Sequence, residues 1–61
     1  MNSYPYMVLY WDNFYNNQTE HHINYRSAKM SLTKANELIS YSWIRRVEVW
    51  NGARRLLLAV H

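Results

Sequence analysis

The 61-residue chain contains no cysteine, one glycine and one proline. Without thiols there is no disulfide framework, no CxxC-type zinc site and no thiol redox chemistry, and nothing ties the protein to an oxidising compartment. A single glycine rules out a glycine-rich loop that cradles phosphates. The longest unbroken aliphatic run, Leu56 to Val60, falls far short of the roughly 20 apolar residues needed to cross a bilayer. Met1 to Tyr6 hold no basic residue, so the start lacks the charged region of a secretory signal. These absences point to a soluble cytoplasmic protein with no membrane association. Acidic residues are scarce as well: four, against seven Lys and Arg, leave a formal charge of +3. That balance suits an acidic partner and is modest for a dedicated DNA binder.

Aromatic side chains are what the sequence has in excess. Six Tyr, three Trp and one Phe make up 16% of the chain, more than so small a core encloses. A chain of this length buries only about 60% of the surface its unfolded form exposes, and without disulfides such domains lean on a metal or a partner chain. Repeats, linkers and low-complexity segments are missing. Residues 1–61 therefore read as one small α+β domain.

Tyr6 to Trp11 are β-branched, aromatic or long apolar residues, stopped by Asp12-Asn13, which predicts a strand running into a turn. The polar cluster Asn16-Asn17-Gln18-Thr19, interrupted upstream by Phe14 and Tyr15, favours a loop. His22 to Arg26 alternate, with Ile23 and Tyr25 on one side and His22, Asn24 and Arg26 on the other. That period of two predicts a second strand pairing back on the first. Ser31 is a suitable helix N-cap, followed on one side by Leu32, Ala35, Leu38, Ile39, Ser42 and Trp43 at helical spacing.

Val47 to Val60 read as a hairpin about Asn51-Gly52. A two-residue type I′ loop on that dipeptide sets Glu48 opposite Arg55 and Val47 opposite Leu56. A four-residue loop slides the pairs without changing faces, and a three-residue loop sets Glu48 against Leu56. In the two-residue register Val47, Val49, Leu56, Leu58 and Val60 form the core face. Arg46, Glu48, Trp50, Arg55 and Leu57 form the other, with Glu48–Arg55 as a pair worth about 0.2–1 kcal/mol.

Together these elements predict ββαββ: two hairpins flanking one helix, in a four-stranded antiparallel sheet whose one face the helix covers. The opposite face stays open and presents Trp50, Arg46 and Arg55. Tyr6 and Tyr10 join them if Met7 and Leu9 point inward.

No catalytic constellation emerges. The candidate acids and bases are Asp12, Glu20, Glu37, Glu48, His21, His22 and His61, and none has a setting that shifts it towards acid–base work. His21 and His22 are adjacent, so on a strand they point to opposite faces and do not share a metal ion. No metal site, cofactor or enzymatic activity is expected. Arginine doublets at strand ends also serve simply to keep sheet edges from pairing. Where they flank an uncovered tryptophan, Arg, Trp and Tyr are the residue types that dominate protein-binding hot spots. The primary expectation is therefore a protein partner held by Trp50, Arg46, Arg55, Tyr6 and Tyr10. Single-stranded nucleic acid stacked on the same face and a homodimer through that face are the alternatives.

The stretches SLTKANELI (31–39) and VEVWNG (47–52), in a tiny cysteine-free chain, resemble the small ββαββ-type proteins that phages and mobile elements encode. Those proteins inhibit host or defence enzymes, and anti-CRISPR proteins are among them. The resemblance is one of pattern and covers roughly residues 31 to 52. It implies a non-catalytic inhibitor, acting in the host-cell cytoplasm by occluding a site on a larger nucleic-acid-handling machine. Members that mimic DNA are acidic. For this basic chain the resemblance implies an acidic protein surface as target, or a nucleic-acid groove blocked in another way.

Overall fold

A computed structural model describes residues 4–12 and 19–60. Its elements are β1 (Tyr6–Asp12), β2 (Thr19–Tyr25), α1 (Ala28–Ile39), β3 (Ile44–Asn51) and β4 (Arg54–Val60). The architecture is the expected α+β ββαββ, with one antiparallel four-stranded sheet in the order β2-β1-β3-β4. The two hairpins thus meet along β1 and β3, and β2 and β4 form the edges. Among the described residues no helix is long and apolar enough to cross a membrane.

The helix begins four residues earlier than the sequence suggested. Ser27, in extended conformation, is the N-cap, and its hydroxyl accepts from the Met30 amide at 3.2 Å. Ser31 lies fully buried one turn inside, its hydroxyl donating back to the Ala28 carbonyl at 2.7 Å. Both serines are good caps by residue type, and the earlier one prevails because Ser31, Ala35 and Leu38 form the buried stripe. Two small residues in that stripe bring the helix axis close to the sheet. The helix ends at Ser40, so Ser42 and Trp43 lie beyond it. Trp43 is exposed and stacks on Tyr41, with centroids 4.5 Å apart.

The core under α1 consists of Val8, Ile44, Val47, Val49, Ala35 and Leu38, flanked by Tyr10, Tyr25, Leu32, Ile39, Tyr41 and Leu57. Val8 sits opposite Ile23 on β2 and Val49 on β3, at the middle of the covered face. This fixes the parity of β1 and corrects the expectation for Tyr6 and Tyr10. Both share the face of Val8, whereas Met7, Leu9 and Trp11 take the open one. Tyr10 stacks on His21, centroids 4.9 Å apart, and so closes the side of the core. Of the other tyrosines, Tyr41 packs against the core, Tyr4 is exposed beside Arg26, and Tyr15 lies outside the described residues. The loop expected from Asp12 to Glu20 is shorter, because Asp12, Thr19 and Glu20 belong to paired strands and β2 begins three residues before the expected His22; residues 13–18 lie outside the described ones.

The final hairpin departs from expectation in two ways. Asn51 pairs with Arg54, so the loop is Gly52-Ala53, one residue further on than Asn51-Gly52. Gly52, at φ +59, takes the first loop position, where only glycine adopts a left-handed conformation without penalty. A bulge then follows: Trp50 faces Arg55 but Val49 faces Leu57, leaving Leu56 as the extra residue of β4. Beyond it the alternation of β4 is inverted. Leu57 and Ala59 face Val49 and Val47 on the covered side, and Leu58 and Val60 face Glu48 and Arg46 on the open side. Leu56, Leu58 and Val60, expected in the core, are 40%, 43% and 60% exposed.

Candidate functional site

Directly paired residues of neighbouring strands share a face, so the registers lay out the uncovered side in three rows from β2 to β4. One row is Glu20, Trp11, Arg46 and Val60. The middle row is His22, Leu9, Glu48 and Leu58, and the last is Asn24, Met7, Trp50 and Arg55. Trp50, Arg46 and Arg55 lie on this open face, as the sequence indicated. Tyr6 and Tyr10 do not. Trp11, Met7 and Leu9 replace them, and the flanking polar residues are Glu20, His22 and Asn24 of β2 and Arg55 of β4.

Glu48 occupies the centre. It is only 5% exposed although no helix covers it, because its neighbours close over it. Arg46 Nε donates to its Oε2 at 2.7 Å and Trp50 Nε1 donates to its Oε1 at 2.8 Å. All three residues lie on β3 two apart, so alternation alone sets them side by side. Burial pushes the Glu48 carboxyl up. The hydrogen bonds from Arg46 and Trp50, with the charges of Arg46 and Arg55, more than reverse this and hold it below the ordinary glutamate range. Arg55, expected directly across from Glu48, faces Trp50, and Glu48 faces Leu58, because of the loop shift and the Leu56 bulge.

Each indole on this face carries its own guanidinium. Arg46 lies 5.5 Å from the centroid of Trp11, and Arg55 lies 6.0 Å from that of Trp50, within the range of cation–π attraction. Arg46 therefore links Trp11 to Glu48, and Glu48 links Arg46 to Trp50. The large side chains are held in place by one another.

A second irregularity adds a cation at one end. Trp11 faces Arg46 but Asp12 faces Ile44, so Arg45 is an extra residue of β3. Bulges re-aim side chains, and here Arg45 joins Arg46, Trp11, Glu48 and Val60 around a groove of about 330 Å³. Among the described residues Arg45 has no ion-pair partner. Nothing in the residue pattern signals this groove, since a bulge has no residue signature here. Trp11 was discoverable: it shares a face with Met7 once β-branched Val8 is set inward.

The remaining ionisable groups are dispersed. His21 Nε2 lies 2.8 Å from Asp12 Oδ2 at the end of the first hairpin. Its neighbour His22 points to the opposite face, and His61 lies outside the described residues. Glu37, on the exposed side of α1, accepts from Lys34 and Tyr41, and the hydrogen bond from Lys34 is the first cause holding its carboxyl below the ordinary range. Among the described residues no three His, Asp or Glu side chains converge to hold a metal ion. Comparison with family models, curated proteins and solved structures finds no match to the chain.

Proposed function

We propose that this chain is a non-enzymatic binding protein that docks its uncovered sheet face on an acidic surface of a macromolecular protein. It acts as an inhibitor in the manner of the small phage and mobile-element proteins it resembles, in the host-cell cytoplasm. The observation that carries the reading is the self-braced set Trp11, Arg46, Glu48 and Trp50. Rigid aromatic and guanidinium groups held in one conformation before contact lose little entropy on binding, and they are the usual hot-spot residues. Arg45, Arg46 and Arg55 outnumber Glu20 and Glu48 on the face, which favours an acidic counterpart.

The alternation of indole and guanidinium also favours a second reading, single-stranded nucleic acid stacked on Trp11 and Trp50. Glu48 argues against it, because a phosphate backbone joining bases on the two indoles passes the carboxylate. Affinity capture from the source cells with wild type, Trp50→Ala and Lys29→Ala tests the proposal, followed by affinity measurement on the captured protein. Trp50→Ala should lose about thirtyfold or more in affinity, the change expected of a hot spot worth about 2 kcal/mol, while Lys29→Ala binds as wild type. Unchanged affinity of a folded Trp50→Ala overturns the anchor. Tight binding of an oligothymidine that weakens steeply between two salt concentrations transfers the function to nucleic acid.

A further inference from the structure

The two edges of the sheet are unequally protected. Every other N–H and C=O on the outer side of an edge strand lacks a strand partner, and proteins commonly blunt such edges with charged side chains. β2 is blunted along its length, with Glu20, His21, His22 and Asn24 inside the strand and Arg26 just after it. β4 carries Arg54 and Arg55 at its start and then five uncharged residues, Leu56 to Val60. Three of those five are 40–60% exposed on the open face. The bulge at Leu56 lies at the arginine end, so the stretch from Leu57 to Val60 keeps a regular ladder with β3.

We infer that β4 is the dimerisation edge of this protein and that its occupant is β4 of a second copy, antiparallel about a two-fold axis at Leu58. In that register Leu58 meets Leu58 of the second copy and Leu57 meets its Ala59, while the bulged Leu56 comes beside its Val60. The charges fit this arrangement. Arg54 and Arg55 fall beyond Val60 of the second copy, so the two arginine pairs lie at opposite ends of the junction and never face each other. An arginine pair in mid-strand excludes such pairing, since like charges directly opposite destabilise it. Side chains paired across strands share a face, so Leu56, Leu58 and Val60 of both copies form one aliphatic strip. The contact is isologous and closes at two copies. It consumes both β4 edges and leaves outside only the two polar β2 edges, which protects the assembly from growing into filaments.

This inference does not rest on the proposed function, because the junction leaves Trp11, Arg46, Glu48 and Trp50 uncovered in both copies. It makes the open face one continuous eight-stranded surface. The test exploits the absence of cysteine. Leu58→Cys and, as a control on the guarded edge, Asn24→Cys are exposed to a mild oxidant at micromolar protein. Leu58→Cys should cross-link on the order of a hundredfold faster than the control, because paired thiols meet at millimolar effective concentration and the control by collision. In parallel, sedimentation of wild type should shift with concentration from 7.5 kDa to twice that mass. Leu58→Lys, which sets two ammonium groups against each other at the axis, should stay monomeric with an unchanged circular dichroism spectrum. Equal cross-linking at both edges, or a wild type that sediments as monomer at all concentrations, overturns the inference. So does association that survives Leu58→Lys but is lost in Trp50→Ala, which assigns the contact to the open face.

Discussion

The covered and uncovered faces of the sheet use the same four strands but different physics. Under α1, Val8, Val47 and Val49 are wholly buried and make no directional demand. They stabilise by apolar area removed from water and by close packing. On the other side Glu48 is nearly as buried, without a covering layer, and is held by charge-assisted hydrogen bonds from residues two apart on its own strand. One face tolerates any side chain of the right volume and polarity. The other depends on particular atoms, because an unpartnered carboxylate at that depth costs far more than a missing methyl group. Small size explains the division: a single helix roofs only one side, so the second side must fasten its large residues to one another.

The largest effect expected to sharpen this contrast is that of a cation introduced on each face. Val49→Lys places an unpaired charge in the core, at a cost of about 3–5 kcal/mol. A domain of this size has a total stability of about 3–9 kcal/mol, so cooperative melting in circular dichroism should largely vanish. Leu58→Lys, on the open face opposite Glu48, should keep a cooperative melt. Similar loss in both variants removes the distinction between the faces.

Truncation provides a finer comparison. Leu38→Ala, in the buried stripe of α1, should lower stability by about 2–4 kcal/mol, and Leu9→Ala, half-buried beside Glu48, by about 1 kcal/mol. Urea midpoints at equal m-value read both. A Leu9 loss equal to that of Leu38 makes the open face a second core.

An effect similar in size to the Leu9 truncation tests the electrostatic brace. Glu48→Gln keeps the shape but removes the charge, and should cost about 1–2 kcal/mol at neutral pH. The Glu48 pKa is depressed in the folded state relative to the ordinary value of 4.5. Its stabilisation is therefore complete above that ordinary value and is lost as pH falls through the lower folded one. Wild type should lose this part of its urea stability on acidification, and Glu48→Gln should show a shallower acid limb. An identical acid limb in the two proteins assigns the pH dependence to other carboxylates.

Legibility of the fold follows from where the sequence expresses a period. In β2, Ile23 and Tyr25 alternate with His22 and Asn24, and in β3 Val47 and Val49 alternate with Arg46, Glu48 and Trp50. Those faces follow from the residues alone and agree with the registers. In β1 and β4 nearly every residue is apolar, Tyr-Met-Val-Leu-Tyr-Trp and Leu-Leu-Leu-Ala-Val. Polarity then says nothing about parity, and tertiary contacts decide it. Val8 decides for β1, and the Leu56 bulge decides for β4. The site inherits both outcomes. The β3 members Trp50, Arg46 and Glu48 are visible in the sequence, whereas Trp11 carries no polarity signal of its face and the alternation of β4 places Leu58 and Val60 in the core. The Arg45 bulge left no mark in the sequence, because the backbone irregularity that aims this side chain depends on where β1 ends.

The strand order has a consequence for how the molecule assembles. Each hairpin pairs strands that follow one another in the chain, but the seam between them joins Val8 to Val49 and Tyr10 to Val47, residues far apart in the sequence. Closing that seam incurs most of the loop entropy and forms the floor on which α1 rests. The zipping of β1 against β3 should therefore set the folding rate, and the amides of that central pair should be the last to exchange with solvent.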